Sequence, residues 1–376
     1  MEGQHRVGIL VGVPGLLRDL GVTPDPVIAG AGIDPPLLDD TEASVSFVRA
    51  GALLRACAEA TGRPEFGLLL GQRAGLAEFG LVGRLMRSAS TLGEALLDFT
   101  TNQHRYTRGA AVFLSVHDGI TFYGYALHVP GVEALELIND AAIGAGFNMV
   151  RELGGFAPEG VHLSRRKPAD VAPYRRFFGF VPRFDAEQNA VTFPARRLAT
   201  PVRTADATQR ADLLRTVADY WTVQQPSLAD RVVRTLRGRA AFPGIALEDV
   251  AERLGLHPRT LNRHLREDGT NFRALLNQAR AELAQQWLQA TQMSMTDIAL
   301  ALGYSDLSSF SRAFQRLTGT SPSEWRAQHT GAASESWSGN RARPAKPLPA
   351  ISRDGRAARS AQFAGSDWRA REDSNS

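Results

Sequence analysis

The chain has very little cysteine and almost no lysine. Its 376 residues include one cysteine, Cys57, which excludes an intramolecular disulfide and favours a reducing compartment. No Cys/His set has zinc spacing, so neither a metal nor a cofactor is expected. Cys57 falls inside the helical run 47–60 and reads as a small core residue rather than a redox sensor. Lysine occurs only at 167 and 346, an arginine bias that GC-rich coding would also produce and that is given no functional weight. A long hydrophobic run is also lacking. The apolar stretch 7–17 is too short to span a membrane, is followed by Arg18-Asp19, and has no small-residue cleavage site. No membrane segment or signal peptide is therefore expected, and the chain reads as cytoplasmic. Gly30-Ala31-Gly32 lacks the third glycine and the preceding strand of a dinucleotide loop and reads as a turn. The net charge of +4 does not by itself announce a nucleic-acid partner, but it is compatible with one if the arginines cluster locally.

They do cluster in residues 245–326. ALEDVAERLGLHPRTLNRHLRE (246–267) and MTDIALALGYSDLSSFSRAFQRLTG (295–319) form a divergent internal repeat. Asp249, Val250, Ala251 and Gly255 align with Asp297, Ile298, Ala299 and Gly303. One extra residue in the second turn then brings Leu261, Arg263 and Leu265 onto Phe310, Arg312 and Phe314. Each copy opens with a short amphipathic helix, apolar at i, i+3, i+4 and i+7 in the case of Leu247, Val250, Ala251 and Leu254. Gly255 and Gly303 mark the turns, where a left-handed conformation suits glycine. Pro258 at a first helical position, and Ser305-Asp306 as a cap, open the second helices.

Those second helices bury Leu261 and Leu265, or Phe310 and Phe314. Arg259, Asn262, Arg263 and Arg266 are left outward on one, and Ser308, Ser311, Arg312 and Gln315 on the other. Arg can bond guanine at two points, Asn or Gln can do so with adenine, and Ser suits several base edges. Arg266, Arg273 and Arg316 fit phosphate contacts better. Between the copies, 272–288 reads as one helix capped by Thr270 or Asn271, with Phe272, Leu275, Leu276, Ala279 and Leu283 as its apolar stripe. At ~1.5 Å per residue it supplies roughly 25 Å of spacer. The two reading helices then lie about one DNA turn, ~34 Å, apart. A lone helix-turn-helix pattern is common in bundles that never touch DNA; duplication with outward arginine in both copies argues against that bland reading.

Residues 228–327, ending in GTSPSEWR (319–326), resemble the DNA-binding domain of the AraC/XylS family of bacterial transcription regulators. In that family a small residue followed by proline opens a last short helix, as Ser321-Pro322 would. The resemblance implies promoter DNA and RNA polymerase as partners, with activation the commoner outcome.

Residues 1–205 have a different character. Helices are read at 14–20, 47–59, 132–153 and 174–180, with another starting at the capping-box pair Thr91 and Glu94. Leu135, Ile138, Ala142, Ala145 and Met149 are read as the inner face of the long helix. Pro24, Pro26, Gly30 and Gly32 read as loop markers, and 66–71 and 79–85 as short apolar runs. Strands are read at 111–116, 121–129, 160–164 and 190–193, the first two joined by His117-Asp118-Gly119. The segments AGIDPPLLDD (31–40), FGLLLGQRAGLAEFGLVGRLMRSASTLGEAL (66–96) and YRRFFGFVPRFDAEQNAVTFPARRLATPV (174–202) resemble the arabinose-binding-type N-terminal domain of one branch of the same family. That implies an unknown small-molecule effector, a homodimer, or both, without licensing arabinose as the ligand.

The expected chain is thus multidomain. An α+β effector and dimerisation domain (1–205) leads through a connecting helix and linker (206–227) to an all-α DNA-binding domain (228–327). That last domain has two helix-turn-helix units joined by a linker helix. A disordered tail (328–376), rich in Ser, Ala, Gly, Arg and Pro, departs from the family, whose members usually end near the last helix. In the effector domain NQHRYTR (102–108) offers His104, Arg105, Tyr106 and Arg108 to an anionic effector, against the plainer reading of a solvated helix end. Ser88, Ser90, His104 and His162 are scattered, so no catalytic residue and no enzyme is expected. Two alternatives share the DNA-binding module: a DNA-directed repair enzyme, which would need a methyl-accepting cysteine, and a nonspecific DNA-binding protein.

Overall fold

Local chemistry sets where the principal helices of the N-terminal half begin. In this computed structural model, residues 4–40, 43–103, 107–127, 129, 131–220, 227–237 and 245–330 are described. In chain order they form β1 (Gln4–Arg6), α1 (Val13–Asp19), α2 (Pro24–Gly30), β2 (Ser44–Ser46), α3 (Phe47–Thr61), α4 (Phe66–Arg73), α5 (Gly80–Arg87) and α6 (Leu92–Asn102). Next come β3 (Thr107–Arg108), β4 (Ala110–His117), β5 (Ile120–Leu127), α7 (Leu135–Gly154), β6 (Gly160–His162), α8 (Ala172–Phe178), β7 (Asn189–Pro194) and α9 (Ala207–Tyr220). The remaining described segments are helical: α10 (Leu228–Arg237), α11 (Leu247–Arg253), α12 (Pro258–Glu267), α13 (Phe272–Ala290), α14 (Met295–Ala301), α15 (Leu307–Thr318) and α16 (Pro322–Thr330).

Ser46 Oγ accepts from the Arg49 amide at 3.3 Å to start α3. Thr91 Oγ1 accepts from the Glu94 amide at 3.2 Å to start α6, as the capping pattern predicts. The returning Glu94 carboxylate takes the amide of Ser90 (2.7 Å), one residue outside the box. Two expectations, the loop at 24–30 and the place of Leu135, need correction, and two further features carry no assignment from the sequence. Residues 24–30 are helical, because Pro24 and Pro26 sit in the first turn, where a missing amide N–H is not needed. The apolar runs at 66 and 79 belong to helices α4 and α5; a short continuous run does not distinguish helix from strand by its period. Leu135 stands on the exposed side of α7, not its inner face. A three-stranded antiparallel sheet, in the order β2-β1-β3, was not anticipated; its strands have two or three residues, too few to show alternation.

The main sheet is antiparallel in the order β4-β5-β7-β6. Asp118 (φ 49°) and Gly119 (φ 76°) form its two-residue hairpin turn, and the left-handed geometry of both matches the strand twist and pairs His117 with Ile120. Helix α7 packs against this sheet and is crossed by α4 at backbone contact. A Cβ on Gly67 would lie 2.1 Å from the Leu137 carbonyl oxygen, and one on Gly71 would lie 2.6 Å from that of Ala141. Asn148 of α7 locks the crossing, donating to the carbonyls of Gly71, Gln72 and Ala74 at 3.2, 3.0 and 2.7 Å. The helical half has its own core around Trp287, Leu261, Leu265, Phe310 and Phe314.

Gly67→Ala forces two backbones apart and should lower stability by roughly 1–3 kcal/mol. Urea denaturation followed by circular dichroism checks this; an unchanged midpoint would contradict the close crossing.

Candidate DNA interface and effector cavity

Each half of the repeat folds as a helix, a turn and a second helix. Helix α11 stops at Gly255 (φ 67°), and α14 stops at Gly303 (φ 75°). The positive φ is what requires glycine at 303; a Cβ there would also press on the movable end of Arg280, 2.7 Å from its Nη2. The Arg280 guanidinium lies 5.3 Å from the centre of the Tyr304 ring and braces the second turn from α13. Helix α12 opens with His257 Nδ1 accepting from the Arg259 amide at 3.2 Å, followed by Pro258. Helix α15 opens with Asp306 Oδ1 accepting from the Ser309 amide at 2.7 Å, and that bond holds the carboxyl below its ordinary range. Asn271, not Thr270, caps α13, taking the Ala274 amide at 2.9 Å.

Leu261, Leu265, Phe310 and Phe314 are buried as their spacing predicts. Arg259, Arg263, Arg266, Ser308, Arg312 and Arg316 are exposed, and Asn262 and Ser311 are half-buried on the same helices. Arg259, Asn262, Arg263, Arg266 and Glu267 line one shallow surface concavity. The ties on Arg263 are weak and exposed: its Nε lies 3.7 Å from Glu267 Oε1 and its Nη2 lies 3.4 Å from His264 Nε2. A base or a phosphate could replace them at little cost. Helix α13 extends 19 residues, about 28 Å at ~1.5 Å each. Its buried stripe includes Trp287 and Leu288, whereas Phe272 and Leu276 are only partly buried.

The N-terminal half holds a partly open cavity of about 140 Å³. Its walls come from β1 (His5, Arg6), α3 (Phe47, Ala50), the hairpin (Val112, Tyr123, Tyr125) and the inner face of α7 (Ile138, Ala142, Met149). Gln103 and Thr107, within the predicted ligand run 102–108 but not among the four residues singled out in it, also line it. His104, Arg105 and Tyr106 lie outside the described residues, and Arg108 contributes its backbone to β3 opposite Gln4. The sequence reading missed the cavity because its lining is ordinary apolar core, gathered from segments far apart in the chain. Among the described residues, no group of three His, Cys, Asp or Glu could hold a metal ion. Among the same residues, no helix is long and apolar enough to cross a membrane.

An arabinose-binding domain of the AraC transcription regulator, N-terminal type, matches residues 21–202, and a helix-turn-helix domain matches 250–328. An uncharacterized HTH-type transcriptional regulator of Mycobacterium tuberculosis is 31% identical over 332 residues, covering 82% of this chain and 92% of that protein. This chain belongs to the AraC/XylS family of transcription regulators. The ornithine utilization regulator of Pseudomonas aeruginosa is 29% identical, over 83% of this chain and 93% of its own length. The crystal structure of transcriptional regulator CdpR, also from Pseudomonas aeruginosa, is 25% identical and matches 83% of this chain and 98% of its own with a TM-score of 0.41. In this AraC/XylS regulator an N-terminal α+β part precedes a helical DNA-binding part.

Its two parts meet at a packed seam. Phe113 of β4 meets Trp287 of α13 edge to face, with ring centres 5.1 Å apart. The Gln292 amide donates to the Glu187 carbonyl at 2.9 Å. Also buried in the seam is Asp98 of α6, 1% exposed, which takes Arg210 of α9 on both oxygens at 2.7 and 3.1 Å. Arg253 of α11 approaches the same carboxylate at 3.4 Å. Burial alone would lower the Arg210 guanidinium, but Asp98 and Glu94 outweigh it and hold it above its ordinary value. One carboxylate thereby ties the effector half, the connecting helix and the first helix-turn-helix unit together.

Asp98→Asn removes the buried carboxylate that Arg210 grips on both oxygens, leaving only the part-exposed Glu94 at 2.9 Å as its counter-ion, and should cost about 3 kcal/mol. Thermal denaturation of the variant beside Arg253→Gln checks this; the half-exposed Arg253 should matter much less. Equal losses in the two would contradict the assignment.

Proposed function

We propose that each protomer recognises specific promoter DNA by placing α12 and α15 in successive major grooves. Arg259, Asn262 and Arg263 contact bases in one groove, and Ser308, Ser311 and Arg312 do so in the next. Arg266, Arg273 and Arg316 contact phosphates and set the register. The observation that carries this reading is the duplicated unit. In both copies the helix after the turn buries one apolar face and presents an arginine-bearing face to solvent, and α13 spaces the two copies apart. The division 1–205, 206–227 and 228–327 is part of this proposal, with a small-molecule effector taken up in the first segment. Homodimerisation, contact with RNA polymerase, activation and a cytoplasmic location follow from the family on the same footing.

The proposed signal route is short. Along β4 and β5, Val112, Tyr123 and Tyr125 face the cavity, while Phe113 and Ala126 join the core of the DNA-binding part. Occupancy of the cavity therefore acts on a wall whose other side touches α13. The repair-enzyme alternative needs a reactive thiolate, yet Cys57 is buried and burial pushes its thiol up to about 12. A nonspecific binder would lose most of its affinity to added salt and bulk DNA alike.

Removing Arg263 by Arg263→Ala should cost about 1–3 kcal/mol and relax the preference at one base pair, whereas Arg273→Ala should weaken all sequences alike. Selection of bound fragments from genomic DNA, repeated with each variant, reads both effects. If Arg263→Ala left the preference intact at every position, the base-reading role would fall.

A further inference from the structure

The cavity behind the β4–β5 hairpin also indicates what kind of effector it would accept. We infer that it takes an uncharged, mainly apolar molecule about the size of one aromatic ring, carrying a single hydroxyl or carbonyl group. The inference rests on the effector-binding reading of the N-terminal half and adds the chemical class.

Volume is the first argument. An apolar cavity of roughly 150 Å³ accommodates benzene, and this one measures about 140 Å³. Its body is apolar, with Phe47, Phe79, Phe99, Val112 and Met149 among the walls. Charge is the second. Arg6 is the one charged residue among the described lining, and it already has an interaction of its own. Burial holds His5 down at about 4, so the ring is neutral at neutral pH. His5 Nδ1 donates to the Arg6 carbonyl at 2.6 Å, which leaves Nε2 as an acceptor. An anionic effector would be stripped of water with Arg6, already engaged elsewhere, as the one cation among the described lining.

Hydrogen-bonding capacity is the third argument. Gln103 is engaged at the free edge of β4: its Nε2 donates to the Ala110 carbonyl at 2.5 Å and its Oε1 accepts from the Val112 amide at 3.0 Å. Of the three lining hydroxyls, that of Tyr123 donates to Met149 Sδ at 3.7 Å, and two remain. Thr107 Oγ1 is buried without a partner, and among the described residues Tyr125 Oη has no hydrogen bond. Two hydroxyls and one imidazole acceptor can serve one polar group. A sugar would leave most of its hydroxyls unpaired in an apolar wall, which is the costly case.

Isothermal titration of the full chain with benzyl alcohol, toluene, benzoate and L-arabinose tests the inference, using wild type, Tyr125→Phe and Ala142→Phe. Benzyl alcohol should bind at least tenfold more tightly than benzoate or arabinose. Tyr125→Phe should weaken benzyl alcohol about tenfold relative to toluene, about 1.4 kcal/mol. Ala142→Phe, which fills the cavity from α7, should abolish both, while its thermal unfolding remains cooperative. A tighter complex with benzoate or arabinose, no binding by any of the four probes, or unchanged binding in Ala142→Phe would overturn the assignment. Promoter-fragment binding on the same samples separates the two readings. If benzyl alcohol binds and promoter affinity stays fixed, the effector reading fails and the ligand class stands. If arabinose binds and shifts promoter affinity, the class fails and the effector reading stands.

Discussion

Side-chain alternation along the β4–β5 hairpin is the constraint on which both halves of this regulator depend. Successive residues of a strand point to opposite faces. Val112, Leu114, Tyr123 and Tyr125 therefore go to the cavity and the N-terminal core, and Phe113 and Ala126 go to the core built on α13. A shift of one residue in the pairing would exchange the two sets, exposing aromatic rings on the wrong side. The two positive-φ residues of the turn prevent that shift by fixing His117 opposite Ile120. Gly124 completes the arrangement. A Cβ there would lie 2.1 Å from the Phe113 ring, so only glycine lets that ring cross its neighbour strand on the way to Trp287.

The polar part of the seam adds orientation more than stability. A carboxylate as deeply buried as Asp98 loses its hydration, and paired arginines only roughly restore that loss. The arrangement nevertheless admits few alternatives, because Arg210 must meet both Asp98 oxygens and Glu94 at once. Apolar contact between Phe113 and Trp287 would tolerate some sliding. The bidentate pair beside it does not. Together they hold α11 and α13 of the DNA-binding part against α6 and β4 of the effector part.

The face of α12 and α15 proposed to meet DNA has the opposite character. Its arginines are exposed and held by little, which suits groups that must exchange water and a weak ion pair for DNA. Rigidity there comes from beneath: the Asp306 cap, the Gly303 turn braced by Arg280, and the paired Phe310 and Phe314 fix how α15 presents its face. The sites of the two parts are thus built differently, one from unspent charge on a surface and the other from unspent hydroxyls in an apolar hollow.

This difference explains which parts could be read without coordinates. The helix-turn-helix repeat was legible because its determinants are local: helical period, turn glycines, caps and outward arginines all lie within some twenty-five residues of one another. The Asp118-Gly119 hairpin and the Thr91 cap were legible for the same reason. The cavity, the Asp98–Arg210–Arg253 cluster and the α4–α7 crossing were not, because each joins residues from segments distant in the chain. A buried Tyr125 hydroxyl or a glycine in an apolar run carries no sign in the sequence of what it will face. The sequence alone determined the family and the repeat that carries DNA recognition. Only tertiary packing decided where the effector could sit and which wall it shares with the DNA-binding part, since burial and pairing across the chain exist only once the distant segments have met.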